Sequence, residues 1–536
     1  MIKKLINGKA SSITSAALIL AISSLASKIL GLFRDRTLLG SFGLGNELDA
    51  YYAAFRIPDF IFNIVVLGAL SAGFIPVFTK LIHENKEKEA NRTANAVMNL
   101  LFLFIFAFCI LGIFFAPNLT GLIAPGFTEE KKVLTSNLTR IMFLSPMFLL
   151  LSGIIGGILQ SHKRFFIYSL SPIVYNIGII IGAIYFSKWW GLEGLAWGVV
   201  LGSAMHFLIQ LPMAHNLGYA YSLVLDIRDR GVRTIIRMMI PRTLTLVTSQ
   251  LNLVIITIIA TTLSAGSLTA FNAANNLQSL PLSLFAISFA IAAFPTLSAL
   301  SGEKDRNEFA RSLTVTTKQI LFFVIPISIL LVALRAQIVR TILGTGKVGW
   351  EETTLLFDSL AIFSFSLFAQ SVIPLFSRAF WALHDARTPF YISFFSVIVN
   401  IMLSVTLSNE YGLRGLVASF SISSTLNAIL LYIFINQKTS FICHGKICIP
   451  VIKISMASIA AGIVAHFSLY AIEPFLDTHT GIGIFTQGLF AGALGIWTYC
   501  MLCWKLEIEE FMILKDSLKR KLLGTKIITS EILGEE

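Results

Sequence analysis

The residues in this sequence best suited to chemistry are charged groups set inside apolar runs. Lys28, Arg34, Asp35 and Arg36 close the first run, and Asp49, Arg56 and Asp59 fall in the second. An ionisable group at the centre of a membrane helix costs roughly 2.5–3.5 kcal/mol on insertion scales, so these groups should face protein or a water-filled cavity. Arg56 sits in Ala53-Ala-Phe-Arg-Ile-Pro58, several residues into its helix, where snorkelling cannot easily remove it. Pro58 opens backbone hydrogen bonds one turn earlier and can bend the helix toward a cavity. Cations gathered in a cavity imply an anionic ligand. Arginine suits phosphate, because its planar fork reaches two oxygens at once, whereas lysine supplies a point charge. Asp35 and Asp49 offset part of the cost of the cations when the cavity is empty. Arg36, nearer the interface, reads as a supporting residue or an anchor.

The elements that position these groups follow from composition. Hydrophobic residues make up 55% of 536 and charged residues 13%, against about 25% charged in a soluble domain. Apolar runs recur near 13–33, 50–79, 93–115, 134–159, 166–187, 193–213, 238–262, 268–299, 312–334, 355–383, 389–407, 414–435, 449–472 and 481–504. About 20 residues cross about 30 Å of hydrocarbon. The runs are continuous rather than alternating, which predicts helices and not a barrel. The fold class is therefore an all-α polytopic membrane protein with about fourteen transmembrane helices. The start, Lys3 and Lys4 before an apolar run, reads as a retained first span rather than a cleaved leader.

Fourteen spans put both termini on one side. Loops on that side hold Lys80, Lys86, Lys88 and Arg92, then Arg228, Arg230, Arg233 and Arg237, then Lys304, Arg306 and Arg311, with more lysines in the tail. Opposite loops are poorer in Lys and Arg. The positive-inside rule then places both termini in the cytoplasm. The net charge of +12 is read as topology and contact with anionic membrane lipid, not as nucleic-acid binding. Cys500-x-x-Cys503 lies inside an apolar helix with no second pair, so neither a metal site nor a cofactor is expected.

The chain also repeats. Leu48-Asp-Ala-Tyr-Tyr-Ala-Ala54 parallels Leu268-Thr-Ala-Phe-Asn-Ala-Ala274. Gly191-Leu-Glu-Gly-Leu195 parallels Gly412-Leu-Arg-Gly-Leu416 at nearly the same offset along the chain. Ser171-Pro-Ile-Val-Tyr-Asn176 resembles Ser396-Val-Ile-Val-Asn400. A shift of six spans keeps orientation, which gives a parallel repeat of the transporter kind. The expected domains are an N-terminal lobe at 1–220, a C-terminal lobe at 221–440, an extra helix pair at 441–506 and a cytoplasmic tail at 507–536. Arg56 aligns with Asn276 in the second half, where Asn272, Asn275 and Gln278 are also polar without charge. These amides suit hydrogen bonds to sugar or peptide, or to neighbouring helices.

Ser27-Lys-Ile-Leu-Gly-Leu-Phe-Arg-Asp35, Asp49-Ala-Tyr-Tyr-Ala-Ala-Phe-Arg-Ile-Pro58 and Gly68-Ala-Leu-Ser-Ala-Gly-Phe-Ile-Pro76 resemble the opening of the MurJ (MviN) family. Ala379-Phe-Trp-Ala-Leu-His-Asp-Ala-Arg-Thr-Pro389 resembles that family's second hallmark. The resemblance covers essentially the whole chain. It implies a flippase for lipid II, the undecaprenyl-pyrophosphate-linked peptidoglycan precursor, within the multidrug/oligosaccharidyl-lipid/polysaccharide exporter superfamily. It also implies two six-helix lobes around a cavity, with the last two helices forming a groove for the lipid tail. Carried over by motif, the cavity residues are Lys28, where the family usually has Arg, with Arg34, Asp49 and Arg56. Two usual basic positions are replaced, by Phe62 or Asn63 and by Asn276. Asp385 is the acidic residue of the second hallmark, beside Arg387. The rivals are a flippase for another lipid-linked oligosaccharide and a membrane scaffold without transport. An enzyme is not expected: no Walker A motif is present, and no carboxylate cluster suits a glycosyltransferase. The membrane potential or a coupling ion would supply the drive.

Overall fold

The computed structural model describes residues 13–67, 73–302, 306–344, 346–439, 444–478 and 480–522. The Lys3 and Lys4 start, Gly68–Ala72 of the first hallmark, Lys304, Cys443 and the tail after residue 522 lie outside the described residues. Every regular element among the described residues is helical. Nine stretches there are long and apolar enough to cross a membrane, and the protein is a multi-pass membrane protein. Two of them, Phe165–Asn216 and Arg387–Thr439, run to 52 and 53 residues. At 1.5 Å per residue a straight helix of that length would measure roughly 80 Å, far beyond one bilayer core.

Both fold back at a glycine. Gly191 has φ 56° and ψ −136°, and Gly412 has φ 57° and ψ −134°. Residues with a Cβ rarely adopt this backbone, which is why glycine stands at each turn. The same conformation thus recurs at equivalent positions of the sequence repeat. The arms of the first hairpin pack on small residues: a Cβ on Gly182 would lie 2.5 Å from the Gly198 Cα, and one on Gly178 would lie 2.3 Å from the Gly202 Cα. In the second, a Cβ on Gly415 would lie 2.0 Å from the Leu407 carbonyl oxygen. Lipid gives no hydrophobic drive between helices, so close backbone approach at glycine supplies the attraction. The hairpin arms coincide with the runs read at 166–187, 193–213, 389–407 and 414–435.

The described helices begin with α1 (Ile13–Phe42), α2 (Asn46–Phe62), α3 (Ile75–His83), α4 (Glu87–Phe114), α5 (Ala116–Ile123), α6 (Glu129–Met142), α7 (Ser145–Ser161) and α8 (Phe165–Ile181). They continue with α9 (Ser187–Leu208), α10 (Leu211–Asn216), α11 (Arg230–Thr261), α12 (Ser267–Pro281), α13 (Ser288–Ala299) and α14 (Arg306–Ala333). The last six are α15 (Arg335–Ile342), α16 (Trp350–Ala382), α17 (Arg387–Thr439), α18 (His444–Ile472), α19 (Gly481–Lys505) and α20 (Glu509–Leu522). A π-helical turn follows α2 at Asn63–Leu67, and another follows α12 at Leu282–Ile287.

The chain packs as two compact units. The first comprises residues 1–280, 339–363 and 387–427, and the second residues 281–338, 364–386 and 428–536. In the first unit, Phe74, Phe78, Ile105, Phe143, Leu150 and Ile154 form a sealed apolar core among α3, α4 and α7. In the second, α18 and α19 pair with each other and α18 also packs on α14, with Ala465, Leu469 and Ala491 around Leu334. Tyr499 donates to the Phe322 carbonyl at 2.8 Å. Lys318 of α14 is held by Glu509 at 2.7 Å and Glu510 at 3.1 Å, which fixes α20 to the unit. Cys500 and Cys503 are free thiols.

Candidate functional site

The helical period lines up one face of α2. Tyr52, Phe55, Arg56, Asp59, Phe62 and Asn63 recur at intervals of three and four and line a cavity of about 410 Å³ in the first unit. Arg34 and Leu38 of α1 line it from one side, Tyr175 of α8 and His206 of α9 from another, and Asn272 and Asn276 of α12 from a third. Pro58 lies inside α2 and is followed one turn later by the π-helical turn at Asn63.

The two arginines are held differently. Arg34 donates from Nε and Nη2 to one oxygen of Asp35, at 2.9 Å and 2.7 Å, and from Nη1 to Asn176 Oδ1 at 3.0 Å. The second Asp35 oxygen accepts from Asn276 Nδ2 at 2.9 Å. Asp35 is thus a buried hub that fixes Arg34 and ties α1 to α12. Arg56 makes one long contact, Nη2 to Asn272 Oδ1 at 3.4 Å. Its Nε is buried with no hydrogen-bond partner. An unsatisfied donor on a buried charged group costs the desolvation free energy of that group, and a ligand oxygen would restore it. Asp59, one turn on along α2, faces the same cavity. Counting Arg34 and Arg56 against Asp35 and Asp59, the cavity region has no net formal charge.

Just beyond the cavity, at the start of α2, Asp49 is turned to another use. One carboxylate oxygen accepts the Gly266 N–H at 2.8 Å and the other accepts the Thr269 N–H at 2.9 Å and hydroxyl at 2.8 Å. Lys131 of α6 reaches the same group at 3.3 Å. The carboxylate caps α12 where that helix exposes unpaired N–H groups. Arg36 donates to the Thr341 carbonyl and Lys347 to the Ser41 carbonyl, closing the same end.

The sequence profile of the lipid II flippase MurJ family matches residues 40–481 of this chain. The chain belongs to the lipid II flippase MurJ family. Among relatives, the probable lipid II flippase MurJ of Bdellovibrio bacteriovorus is 27% identical over 512 residues, covering 94% of this chain and 97% of that protein. The lipid II flippase MurJ of Burkholderia cenocepacia is 25% identical over 423 residues, covering 77% and 82%. A solved structure of lipid II flippase MurJ in an inward closed conformation aligns with a TM-score of 0.75 at 26% identity, over 90% of this chain and 98% of that one. An inward-facing MATE multidrug transporter shares the fold, with a TM-score of 0.64 at 16% identity over 79% and 98%. MurJ proteins are flippases, that is, transporters rather than enzymes.

Of the MurJ residues read from the sequence, Arg34, Arg56, Asn272 and Asn276 meet in one cavity. Asp35 stands behind Arg34. Lys28 lies to one side, donating to Ser279 Oγ at 3.1 Å. Asn275 accepts from Gln278 at 3.0 Å within α12, outside the cavity lining. Asp385 pairs with Lys438 in the second unit. Among the described residues no group of three His, Cys, Asp or Glu is placed to hold a metal ion. Sequence reasoning named Asp59 among the charges within apolar runs without giving it a role, and did not single out Tyr52, Tyr175, Asn176 or His206 for the site. Asp59 had a signal, since it sits three residues after Arg56 and so on the same helical face. His206 had none, because its partner Ser152, 2.6 Å away, is 54 residues distant in sequence.

Proposed function

We propose that this MurJ-family protein carries lipid II across the bacterial inner membrane by alternating access, with both termini in the cytoplasm. The observation that carries the reading is Arg56, a buried guanidinium at the cavity wall whose Nε has no partner. A pyrophosphate offers the planar pair of oxygens that such a group matches. Arg34 presents the second charge, already oriented by Asp35 and Asn176. Asn272 and Asn276 offer amides to the sugar or peptide, and Tyr52 and Tyr175 offer ring faces. The polyprenyl tail stays in lipid along α18 and α19, whose outward side chains, Phe467 and Leu489 among them, are exposed and apolar. Rocking of the two sequence repeats about the cavity would expose the head group to each leaflet in turn. The membrane potential, worth about 2.3 kcal/mol per charge per 100 mV, is the drive that fits a charged head group.

The test is complementation in a bacterium depleted of its own flippase, reading lipid II accessible at the outer leaflet, normalised to this protein in the membrane. The wild-type chain restores accessibility. Arg34→Ala and Arg56→Ala lose it by one to two orders of magnitude, as expected for about 1.5–3 kcal/mol per hydrogen bond to a charged group. Normal flipping per molecule in both variants would overturn the pyrophosphate site. Failure of the wild-type chain with lipid II, and success with another polyprenyl-linked glycan, would overturn the substrate.

A further inference from the structure

Helix α4 carries Asn91, Asn95 and Asn99 at intervals of four, so the three amides form a ladder on one face. Their partners are the backbone carbonyls of the segment that joins α10 to α11. Asn91 donates to Gly218 at 3.0 Å, Asn95 to Ala220 at 2.9 Å, and Asn99 to Ser222 at 3.0 Å and Val224 at 3.1 Å. The segment then returns: Asp226 accepts from Arg92 at 3.0 Å, and Asp229 accepts from Thr93 at 3.1 Å. From Asn91 to Asn99 the helix rises roughly 12 Å at 1.5 Å per residue. Residues 218–229 therefore descend along α4, turn at Ser222–Val224 and climb back.

The outer face of this loop is a row of apolar side chains. Tyr221, Leu223, Leu225 and Ile227 are 62%, 78%, 53% and 64% exposed, and they alternate with residues turned to α4. Lys88 and Arg92 line the space beside it, Arg92 paired with Asp226 at 3.0 Å, and the exposed cations Arg228, Arg230 and Arg233 follow where the loop enters α11. In water such an apolar row would be a liability. At the membrane interface it is favourable, and the asparagine ladder satisfies the carbonyls of Gly218, Ala220, Ser222 and Val224, which are turned to α4. Tyr221 divides two cavities. On one side is an open space of about 680 Å³ that Lys88, Asn91 and Arg92 line together with Leu223 and Leu225. On the other is an apolar cleft of about 300 Å³ lined by Met98, Phe102, Leu151 and Phe207.

We propose that residues 218–229 form an interfacial membrane anchor that binds an anionic glycerophospholipid, its phosphate among these cations and an acyl chain in the cleft beside Tyr221. The site is separate from the transport cavity, and its lipid is a component of the bilayer rather than cargo. Apolar insertion joined to a basic patch is the arrangement that holds protein segments to anionic leaflets.

The experiment uses the full chain in nanodiscs made of phosphatidylcholine with or without phosphatidylglycerol. Nitroxide labels at positions 223 and 228, in a cysteine-free background, report depth by their relaxation with oxygen and with an aqueous nickel chelate. Position 223 is expected to be shielded from nickel and exposed to oxygen, and position 228 the reverse. Equal nickel access at both would overturn the insertion. Native mass spectrometry of the released protein is expected to retain phosphatidylglycerol over phosphatidylcholine. Arg228→Gln/Arg230→Gln/Arg233→Gln, which leaves every loop contact with α4 in place, is expected to lower that preference roughly a hundredfold, about fivefold for each cation removed from a membrane surface. An unchanged preference, or loss of the bound lipid to inorganic phosphate, would overturn the lipid site. Both readouts are independent of flipping.

Discussion

Arg34 and Arg56 show how the same residue type takes two roles inside one cavity. Arg34 is locked on Asp35 and Asn176, so its charge is offset and its fork is fixed. Arg56 has an idle Nε and one long contact to Asn272. The free energy gained on meeting an anion should therefore be larger at Arg56. Arg56→Lys is expected to rescue transport poorly, because an ammonium cannot bind two oxygens in a fixed plane. Arg36→Ala, outside the cavity lining, should cost far less; equal losses at positions 36 and 56 in the outer-leaflet assay would count against this assignment. Asp59 acts in the opposite sense, as a carboxylate that any bound anion must tolerate. Asp59→Asn is predicted to tighten binding of a polyprenyl pyrophosphate about tenfold, a change of about 1.4 kcal/mol. Calorimetry in detergent micelles reads it, and weaker binding would mean that Asp59 orients Arg56 instead.

At the scale of elements, glycines decide where helices turn and how near they come. Gly191 and Gly412 take one conformation, at matching places in the two halves of the repeat, and convert two overlong helical stretches into hairpins. Within the first hairpin, Gly182 and Gly198 leave no room for a methyl group. Gly198→Val is predicted to lower stability by about 1–3 kcal/mol, the usual cost of overpacking a closed interface. Gly31, with open space where its Cβ would stand, is the control: Gly31→Ala should be neutral or raise stability by up to about 1 kcal/mol through helix propensity. Thermal unfolding in detergent measures both, and equal effects would remove the hairpin argument. Asp49 works at the same scale, as a side chain that joins the starts of α2 and α12.

For the whole molecule, the placement of cations orients the chain. Basic residues crowd the loops before α4 and α11, and the proposed topology puts those loops in the cytoplasm. A single cysteine at position 84, in an exposed turn between α3 and α4, should stay unlabelled by an impermeant reagent in intact cells. A single cysteine at position 130, at the start of α6, should react. Labelling at position 84 would invert or break the topology.

The sequence by itself determined that the chain is helical and multi-pass, because twenty-residue apolar runs admit one backbone solution in lipid. It also exposed the internal repeat and the hallmarks of the family, since each is carried by neighbouring residues. The charges near Arg34 and Arg56 were legible for the same reason: a cation within an apolar run stands out against its surroundings. Tertiary structure decided which of those charges work together. Asp49 and Asp59 lie on one helix, yet Asp49 caps α12 and Asp59 faces the cavity, a difference set by what packs against α2 at each turn. Asn176 and His206 reached the site only through folding. The asparagine ladder of α4 gave no signal until the loop it satisfies, far along the chain, lay beside it. Hydrogen bonds between helices depend on register and rotation, and a linear sequence carries neither.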